Sequence, residues 1–441
     1  MTLRLHSTLT GHKDVFVPRT DGRVTMFVCG PTVYARSHIG HGKTYTQFDF
    51  VARYFTYLGY RVTYAQNITD IDDKIITKAA EEGREPHQLA AQYENEYMSD
   101  MAALHNTNVD IYARAHDHID QIVSQIETLI DRGHAYQLDD GWYFDLSTFS
   151  DYGKLYGRRE THAEDSVARI DEHDNKRNPG DFALWKMRKD GEPYWDTTLG
   201  PGRPGWHIED TAITETLFGP QYDLHGGAVD LIFPHHEAEI AQQEAASDLV
   251  PFVKYWMHAG FLENKSEKMS KSLGNFATLH ELLAQYDPAV IRFYLLSNHY
   301  RSPLDFNEKA LDTAQAAVNR IGELMRKQFP TEDISLQTIE TAMDDDFNTP
   351  AAFAAMFDII RDANKRGVAP SAGFFTFINS VFGIVPTTTH TIPSDIQDIV
   401  DTRQVARDAK DFATSDSLRD QLATLGYTVD DTSYGPLVKK N

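Results

Sequence analysis

The fold of the chain follows from one stretch: Met26-Phe27-Val28-Cys29-Gly30-Pro31-Thr32-Val33-Tyr34, continued by Ala35-Arg36-Ser37-His38-Ile39-Gly40-His41-Gly42-Lys43. An apolar run over 24–28 predicts a short buried strand, and the Gly-Pro pair ends it. A helical stretch over 42–58 and a second strand from residue 61 complete a βαβ unit, which requires a parallel sheet. The polar turn after the first strand therefore lies at the carboxyl end of the sheet, where open α/β folds bind ligands.

Length and composition limit the class of protein. A chain of 441 residues holds about two to four domains. Its 65 acidic and 42 basic residues give a net charge of −23. This charge argues against a protein that binds nucleic acid non-specifically over its whole surface, but it is compatible with binding at a local basic patch. The single cysteine excludes an internal disulfide. No apolar run is long enough to span a bilayer and no secretory signal is visible, so we expect a cytoplasmic protein.

Outside the first βαβ unit, the pattern of apolar and polar residues changes several times along the sequence. Residues 1–22 suggest a hairpin or loop, and short apolar pieces between Tyr136 and Gly200 predict an inserted β-rich module. The sheet pattern returns at Tyr222–His225 and Val229–Phe233, followed by a helix near Pro234. Helices are predicted over 74–83, 86–105, 117–132, 308–328, 335–344, 350–366 and 371–382, and, after a Pro/Thr linker at 386–393, over 394–409 and 414–425, with an extended end over 427–439.

The first motif with chemical content is His38-Ile39-Gly40-His41. Two imidazoles at a strand-to-helix turn can donate hydrogen bonds to phosphate oxygens, next to the positive end of the helix dipole. Gly40 would let a nucleotide approach the backbone. A match of four residues alone fits two ordinary surface histidines equally well.

The second motif is Lys268-Met269-Ser270-Lys271-Ser272-Leu273-Gly274-Asn275. Two lysines three residues apart on a Gly/Ser-rich loop can close over an anionic ligand. A solvated charged loop is the commoner explanation when the motif stands alone. The combination of both motifs, in this order and at the two ends of an α/β domain, is far more specific than either one.

Together the two motifs resemble the signature of class I aminoacyl-tRNA synthetases. Five further segments narrow the resemblance to the cysteinyl-tRNA synthetases, and the similarity runs from about residue 20 to the C-terminal unit. The segments are Phe27–Tyr34, Asn67–Lys74, Gly205–Glu209, Phe233–Glu237 and Met343–Pro350.

The resemblance implies a two-step ligation. Cysteine would react with ATP, accompanied by Mg²⁺, to give cysteinyl-adenylate, and the cysteine would then pass to the terminal adenosine of its tRNA. Both steps place the main demand on positioning and on neutralising charge. The residues carried over as catalytic are His38, His41, Lys268 and Lys271, and those carried over for ATP binding are the same four with Gly40 and Asp230.

The resemblance also implies a zinc site at Cys29, Asp210, His235 and Glu239. His235 and Glu239 are four apart on the predicted helix and share one face, although this spacing alone fits a plain polar helix start better. The choice between His235 and His236 follows the family pattern. That pattern has a second cysteine in bacterial members where this chain has Asp210, and the run 208–213 is more similar to archaeal members. Aspartate binds Zn²⁺ through oxygen, so the site stays chemically sound but harder and less selective.

A metal would explain selectivity for cysteine. Cysteine and serine differ by sulfur against oxygen, and a hydrophobic pocket separates near-isosteres poorly. Zn²⁺ bound to the substrate thiolate prefers sulfur. Trp206 and His225 could equally be core aromatics, and without the resemblance this interpretation is favoured for Trp206. The pocket residues that the resemblance implies are Gly30, Thr69, Trp206 and His225.

We therefore expect an α/β protein with a Rossmann-like parallel-sheet catalytic domain and a β-rich insertion, followed by a helical domain and a small C-terminal anticodon-binding unit. The expected partners are tRNA for cysteine, L-cysteine and ATP, without a membrane, and the expected state is a monomer. The predicted divisions are 1–125 with 200–260 (catalytic), 126–199 (insertion), 261–306 (stem contact, with the lysine loop), 307–385 (helical) and 394–441 (anticodon).

Two other functions remain open at this point. A paralogue could transfer activated cysteine to a small amine, but the long C-terminal half argues against it. A tRNA-binding regulator without activity is the other alternative, and the intact histidine and lysine pairs argue against that. Asp70, Asp72 and Asp73 are interpreted as a turn and a helix start rather than as metal ligands. The basic residues available for anticodon contact, or for a solvated helix face, are Arg403, Arg407, Lys410 and Arg419.

Overall fold

The computed structural model describes residues 2–157, 175–263, 278–327, 329–386, 393–432 and 435–440. Within these ranges the strands are β1 (Arg4–His6), β2 (Lys13–Val15), β3 (Arg23–Val28), β4 (Arg61–Ile68), β5 (Ile111–Arg114), β6 (Ala135–Gln137), β7 (Gly141–Phe144), β8 (Ala183–Met187), β9 (Gly202–Pro204), β10 (Tyr222–Ala228), β11 (Val253–Ala259), β12 (Leu262–Glu263), β13 (Leu304–Asp305), β14 (Thr331–Glu332), β15 (Ala369–Pro370), β16 (Tyr427–Thr432) and β17 (Gly435–Lys440).

The α-helices of the same ranges are α1 (Ile39–Tyr57), α2 (Asp73–Glu82), α3 (Pro86–Ala103), α4 (Ile119–Asp131), α5 (Ile208–Phe218), α6 (Glu237–Ser247), α7 (Leu279–Leu283), α8 (Pro288–Leu296), α9 (Glu308–Arg326), α10 (Gln337–Met343), α11 (Thr349–Arg366), α12 (Ala372–Phe382), α13 (Ser394–Asp408) and α14 (Phe412–Thr424). Most of the helices predicted from periodicity are present, with ends that differ by a few residues.

A five-stranded sheet in the order β11-β10-β3-β4-β5 forms the centre, and every neighbouring pair in it is parallel. The predicted βαβ unit is therefore confirmed, with α1 between β3 and β4. Val24, Met26 and Val28 are fully buried, because helices cover both faces of a parallel sheet.

The strand order reverses between β3 and β10. From β3 the chain continues to β4 and β5 on one side, whereas β10 and β11 lie on the other side. This reversal opens a crevice at the carboxyl ends of β3 and β10, where α/β folds bind ligands. Helix α1 approaches β10 closely there, because a Cβ at Gly226 would lie only 2.3 Å from the Phe48 ring.

The prediction of a strand over Val229–Phe233 is wrong. Strand β10 ends at Ala228, and a 3₁₀ turn (Val229–Leu231) and a π-type turn (Ile232–His236) lead into α6. Pro234 has no N–H to give to a strand ladder. Gly226 and Gly227, which follow the predicted strand at Tyr222–His225, continue β10 instead.

A second sheet is antiparallel, in the order β6-β7-β8-β9. This sheet corresponds to the β-rich module predicted between residues 136 and 200. Its last strand, β9, lies just beyond the predicted boundary at residue 199. Phe144, Leu184 and Trp185 of this sheet are buried in one cluster with residues of α4 and α5. The insertion is thereby packed against the flank of the catalytic sheet.

The helical region is held to the sheet domain by Arg292 of α8, which is completely buried. Its guanidinium donates to Asp49 of α1 (2.8 Å), to Asn106 (2.6 Å) and to the carbonyl of Phe382 at the end of α12 (2.9 Å). Burial opposes the charge of Asp49, but Arg292 and Arg53 hold the pKa of this carboxyl below its usual range. A buried charge that is fully paired in this way fixes the two regions against each other.

The last unit consists of α13, α14 and the antiparallel hairpin β16–β17 around a small core that includes Val400 and Leu422. The helices and the extended end predicted there are confirmed. Among the described residues, no helix has both the length and the apolar character that crossing a bilayer requires.

Candidate active site and metal centre

A cavity of about 790 Å³ opens at the carboxyl ends of β3 and β10. The N-terminus of α1 contributes one wall, with His38, Gly40 and His41. Its other lining residues include Cys29, Gly30, Lys74, Lys186, Trp206 and Asp230. Residues from the first motif, the predicted metal site and the inserted sheet therefore meet around one space.

His38 and His41 are stacked at the start of α1, with ring centroids 3.9 Å apart. The Nδ1 of His38 accepts a hydrogen bond from the N–H of Gly40 (3.1 Å), and the Nδ1 of His41 accepts from the N–H of His38 (3.3 Å). Because each Nδ1 accepts, the proton of each neutral imidazole is on Nε2. Both cavity-lining rings thus carry an N–H donor beside the positive end of a helix, an arrangement that suits a phosphate.

Gly30 allows the chain to leave β3 against β4. Its N–H donates to Asn67 Oδ1 at 2.5 Å, and a Cβ at this position would lie 1.8 Å from the Asn67 carbonyl oxygen. The Asn67 amide also donates to Asp210 Oδ1 at 2.6 Å. One side chain of β4 therefore joins the turn after β3 to a predicted metal ligand on α5.

Three of the four predicted metal ligands form one buried group, and the fourth, Glu239, adjoins it. Cys29, Asp210 and His235 offer ligand atoms that all lie within 4.8 Å of one another. The Nε2 of His235 lies 3.2 Å from Asp210 Oδ2 and 3.3 Å from Glu239 Oε1. Glu239 is fully buried, and neither of its carboxylate oxygens makes a hydrogen bond. A thiol, an imidazole and two carboxylates, one of them buried without a hydrogen bond, match the donor types of Zn²⁺.

The electrostatics of this group favour a cation. Burial raises the pKa of the Cys29 thiol well above its ordinary value, and the carboxylates of Asp210 and Glu239 raise it further. Burial, followed by the charge of Asp210, also raises the pKa of Glu239. The cation-free group therefore keeps protons that a bound metal would displace.

Aromatic and histidine side chains support the group from behind. The Trp206 ring stacks on His235 with centroids 4.2 Å apart, and the Nδ1 of His207 lies 2.7 Å from the Nδ1 of His235. The contact leaves His235 Nε2 directed at the carboxylates, as partners behind a metal ligand commonly do. Burial lowers the pKa of His207, with the nearby His235 as the second cause, so the pair does not carry two charges.

A second buried group adjoins the first, formed by His225, His236 and Glu239. Tyr222 OH lies 2.6 Å from the Nδ1 of His225, and His236 Nδ1 lies 2.9 Å from His258 Nε2. Burial lowers the pKa of both His225 and His236 well below the ordinary value. This layer of neutral imidazoles fills the base of the site.

The four residues predicted for the cysteine pocket lie in two places. Gly30 and Trp206 line the cavity. Thr69 and His225 are buried behind it, where Thr69 accepts a hydrogen bond from Asn67 (3.3 Å) and His225 lies 3.5 Å from the Glu239 carboxylate. The alternative interpretation of Trp206 as a core aromatic does not hold, because its ring faces the cavity.

Comparison with protein families decides the relationship. The catalytic-domain model of the class I (C) tRNA synthetases matches residues 15–316. The chain belongs to the cysteine–tRNA ligases. A DALR domain matches residues 338–371, and the cysteinyl-tRNA ligase anticodon-binding domain matches residues 389–434.

Relatives agree over almost the whole length. The chain is 44% identical to a cysteine–tRNA ligase of Thermoplasma acidophilum over 448 residues, covering 97% of this chain and 98% of the relative. It is 41% identical to that of Heliobacterium modesticaldum over 481 residues, with 100% of both chains covered.

Solved structures show the same fold at low sequence identity. Methionyl-tRNA synthetase of Mycobacterium tuberculosis, in complex with methionyl-adenylate, has a TM-score of 0.59 and 17% identity, covering 82% of this chain and 88% of the other. A leucyl-tRNA synthetase of Agrobacterium radiobacter reaches the same TM-score at 11% identity, covering 80% and 82%. The cysteine–tRNA ligase chain thus has the architecture of class I synthetases.

Several sequence predictions for this cysteine–tRNA ligase have a clear structural outcome. Asp72 caps α2 by accepting from the N–H of Lys74 (2.8 Å), and Asp73 pairs with Lys186 and Arg203, so the interpretation of these carboxylates as a helix start is confirmed. Asp230 lines the cavity, and its contact with the nucleotide stays a prediction. Lys268 and Lys271 lie outside the described residues.

The C-terminal arginines of the ligase are engaged within their own unit. Arg403, Arg407 and Arg419 all contact the carboxylate of Asp431, at 2.7, 2.8 and 3.2 Å. Arg403 is fully buried, which excludes it from an exposed face, whereas Arg407 and Arg419 remain partly exposed. A plain solvated helix face does not describe this cluster.

Sequence reasoning missed the residues that orient the site of the ligase. Asn67, His207 and His258 each contact a site residue from a distant part of the chain. Asn67 and His207 could have been suggested by their positions next to predicted pocket residues in the sequence. The sequence contains no such indication for His258. Lys74, which lines the cavity, was quoted within a family segment without a role.

Proposed function

We propose that this cysteine–tRNA ligase activates L-cysteine with ATP and transfers it to the 3′-terminal adenosine of tRNA for cysteine, through the residues assigned below. The observation that carries the proposal is the meeting of two sites on one cavity. A pair of histidine donors at a helix N-terminus faces the same space as a buried thiol–imidazole–carboxylate group.

In the first step, a carboxylate oxygen of cysteine attacks the α-phosphorus of ATP, and pyrophosphate leaves. Negative charge builds on the phosphate oxygens in the transition state. The Nε2–H groups of His38 and His41, beside the dipole of α1, stabilise that charge because they are held in place before the reaction. The family pattern adds Lys268 and Lys271 on the triphosphate and Asp230 on the ribose, with Mg²⁺ bound to ATP.

The amino-acid side of the cavity selects the substrate. Cys29, Asp210, His235 and Glu239 would hold Zn²⁺, which when bound supplies a site for the substrate thiolate that the hydroxyl of serine matches poorly. Neighbouring side chains orient these ligands. Asn67 fixes Asp210, His207 fixes His235, and the Trp206 ring packs over His235 at the edge of the pocket.

In the second step, a ribose hydroxyl of the terminal adenosine attacks the carbonyl carbon of the adenylate, and AMP leaves. The anticodon-binding unit would hold the far end of the same tRNA. We place the reaction in the cytoplasm and expect a monomer to carry it out.

Two assays on the full chain test the proposal. Cysteine-dependent ATP–pyrophosphate exchange reports the first step, and charging of tRNA for cysteine reports the second. We expect both activities with cysteine and very little exchange with serine. Absence of exchange under every metal condition would contradict the enzymatic assignment, and exchange without charging would point to transfer to a small amine instead.

A further inference from the structure

Lys74 is a cation in the reaction cavity, and the proposed two-step reaction assigns it no role. It lies in the first turn of α2, and its exposed side chain lines the cavity. Its ammonium lies 5.7 Å from the centre of the Tyr34 ring and 5.9 Å from that of Trp206. Two aromatic faces at this distance attract a cation and restrict where it can lie.

The charge of Lys74 is available to a ligand. Among the described residues, no carboxylate lies within the 4.0 Å of its Nζ that defines an ion pair. The nearby cations differ, because Lys186 of the cavity wall and the buried Arg203 are both paired with Asp73. The chain therefore pairs the cations around Lys74 with Asp73, whereas the ammonium of Lys74 lies beside two aromatic rings and is attracted by Asp72 from beyond ion-pair distance.

The position of Lys74 indicates which anion it meets. The histidine pair and Asp230 belong to the start of α1 and the end of β10, where the nucleotide is expected. Lys74 instead contacts Trp206, which stacks on the metal ligand His235, and it shares the cavity wall with Lys186 of the inserted sheet. Under the proposed function, this is the side of the cavity that binds cysteine.

We propose that Lys74 binds a phosphodiester of the single-stranded 3′ end of the tRNA and thereby positions the terminal ribose for transfer. The inference rests on the proposed function. A single strand that enters over this wall brings one phosphate per nucleotide, and a lysine binds such a group as a point charge. The other anion on this side is the carboxylate of cysteine, which is present already in the first step, so the two ligands can be separated by step.

The test compares Lys74→Met and Lys74→Arg with Lys78→Met in the full chain. Lys78 lies one turn further along α2, where it pairs with Glu81 and Glu82, and is the matched control. In ATP–pyrophosphate exchange without tRNA, we expect K74M to keep kcat and the KM for cysteine within about twofold. In single-turnover transfer from preformed cysteinyl-adenylate, we expect K74M to lose about tenfold or more, the size of one charged contact. K74R should recover most of that loss, and K78M should match the wild type.

Salt dependence gives a second readout that a structural role would not change. Loss of one phosphate contact to a single strand should make the log–log dependence of tRNA kcat/KM on salt shallower by about 0.7. The proposal is overturned if K74M transfers cysteine at the wild-type rate, or if exchange falls as much as transfer, which would assign Lys74 to the cysteine carboxylate. Wild-type protein without any exchange would contradict the proposed function itself.

Discussion

Cys29 supplies the only thiol of the chain, and Asp210 occupies the position of the second cysteine in the bacterial pattern that the sequence resembles. The structure places the two beside His235 and Glu239. A site with one sulfur and two carboxylates is harder than one with two sulfurs, so the binding of the proposed Zn²⁺ would depend more on the geometry that Asn67 and His207 impose.

Substitution of Asp210 tests whether it is a ligand. We expect Asp210→Asn to lose bound metal and to lower cysteine-dependent exchange by about 100-fold, because the amide is a poor ligand for Zn²⁺. Asp210→Cys should keep the metal, since a thiolate replaces the carboxylate. Elemental analysis with exchange kinetics measures both effects. Equal metal content in D210N and the wild type would show that Asp210 is not a ligand.

A second prediction separates the two roles of His41. Asparagine at this position keeps an acceptor for the N–H of His38 but removes the Nε2–H donor. We expect His41→Asn to lower kcat of exchange by about 100-fold while the melting temperature changes by about 2 °C or less. The exposed histidine of α3 provides the control, and His87→Asn should leave both quantities unchanged. Undiminished exchange in H41N would contradict the assignment.

Residues that lie within short motifs can be predicted from the sequence, whereas contacts between distant residues cannot. His38, Gly40, His41 and Cys29 were predicted because they are close together in sequence and have characteristic types. The contacts that orient other residues of the site were not predicted, because the contact of Asn67 with Asp210 and that of His236 with His258 join segments 143 and 22 residues apart. Sequence spacing contains no signal for such pairs.

Among the elements, the turn between β3 and α1 organises the site. It delivers the thiol, the glycine and both histidines to one cavity, and its course depends on close approach to β4. The elements of this unit were predictable from apolar periodicity and from the Gly-Pro break. The strand at Tyr222–His225 was predicted, but its continuation to Ala228 was not; the two glycines of this continuation make room for Phe48 and His236.

Substitution of Gly30 tests the turn itself. A methyl group there would overlap the Asn67 carbonyl, so we expect Gly30→Ala to cost about 3 kcal/mol of stability and to reduce metal binding. Gly373 near the start of α12 is a suitable control, because a Cβ there meets only Ser371 Oγ at 3.6 Å. Gly373→Ala should gain about 0.5 kcal/mol. Urea unfolding measures both, and similar stabilities of the two variants would contradict the account.

The whole molecule has a net charge of −23, whereas the base of its site is rich in neutral imidazoles. Length predicted a protein of several domains, the βαβ pattern predicted the α/β class, and the net charge of −23 predicted that any nucleic-acid contact is local. Composition could not predict how the domains are joined, because Arg292 reaches the end of α12 across 90 residues of sequence. It also could not predict that the histidines are buried without charge.

Burial of His258 makes stability depend on pH. Burial lowers the pKa of His258 to about 3, whereas the unfolded chain has a value of about 6.5. Between these values the unfolded state binds a proton that the folded state rejects, so stability falls as the pH decreases from about 6.5. One histidine contributes a slope of at most about 1.4 kcal/mol per pH unit.

Denaturant unfolding between pH 4.5 and 6.5 measures this slope. We expect the slope for His258→Gln to be smaller than that of the wild type by the contribution of about one proton, whatever the change in stability at pH 7. Parallel curves for the two proteins would contradict neutral burial of His258.

The most direct test of the central claim combines metal analysis with substrate choice. The wild-type chain is assayed for zinc content and for cysteine- and serine-dependent ATP–pyrophosphate exchange, before and after removal of metal by a chelator. We expect about one zinc per chain, exchange with cysteine that disappears on chelation and returns with Zn²⁺, and exchange with serine below about 1% of that with cysteine. A metal-free chain that activates cysteine as fast as the zinc-loaded chain would contradict the claim that Cys29, Asp210, His235 and Glu239 select the substrate through a metal.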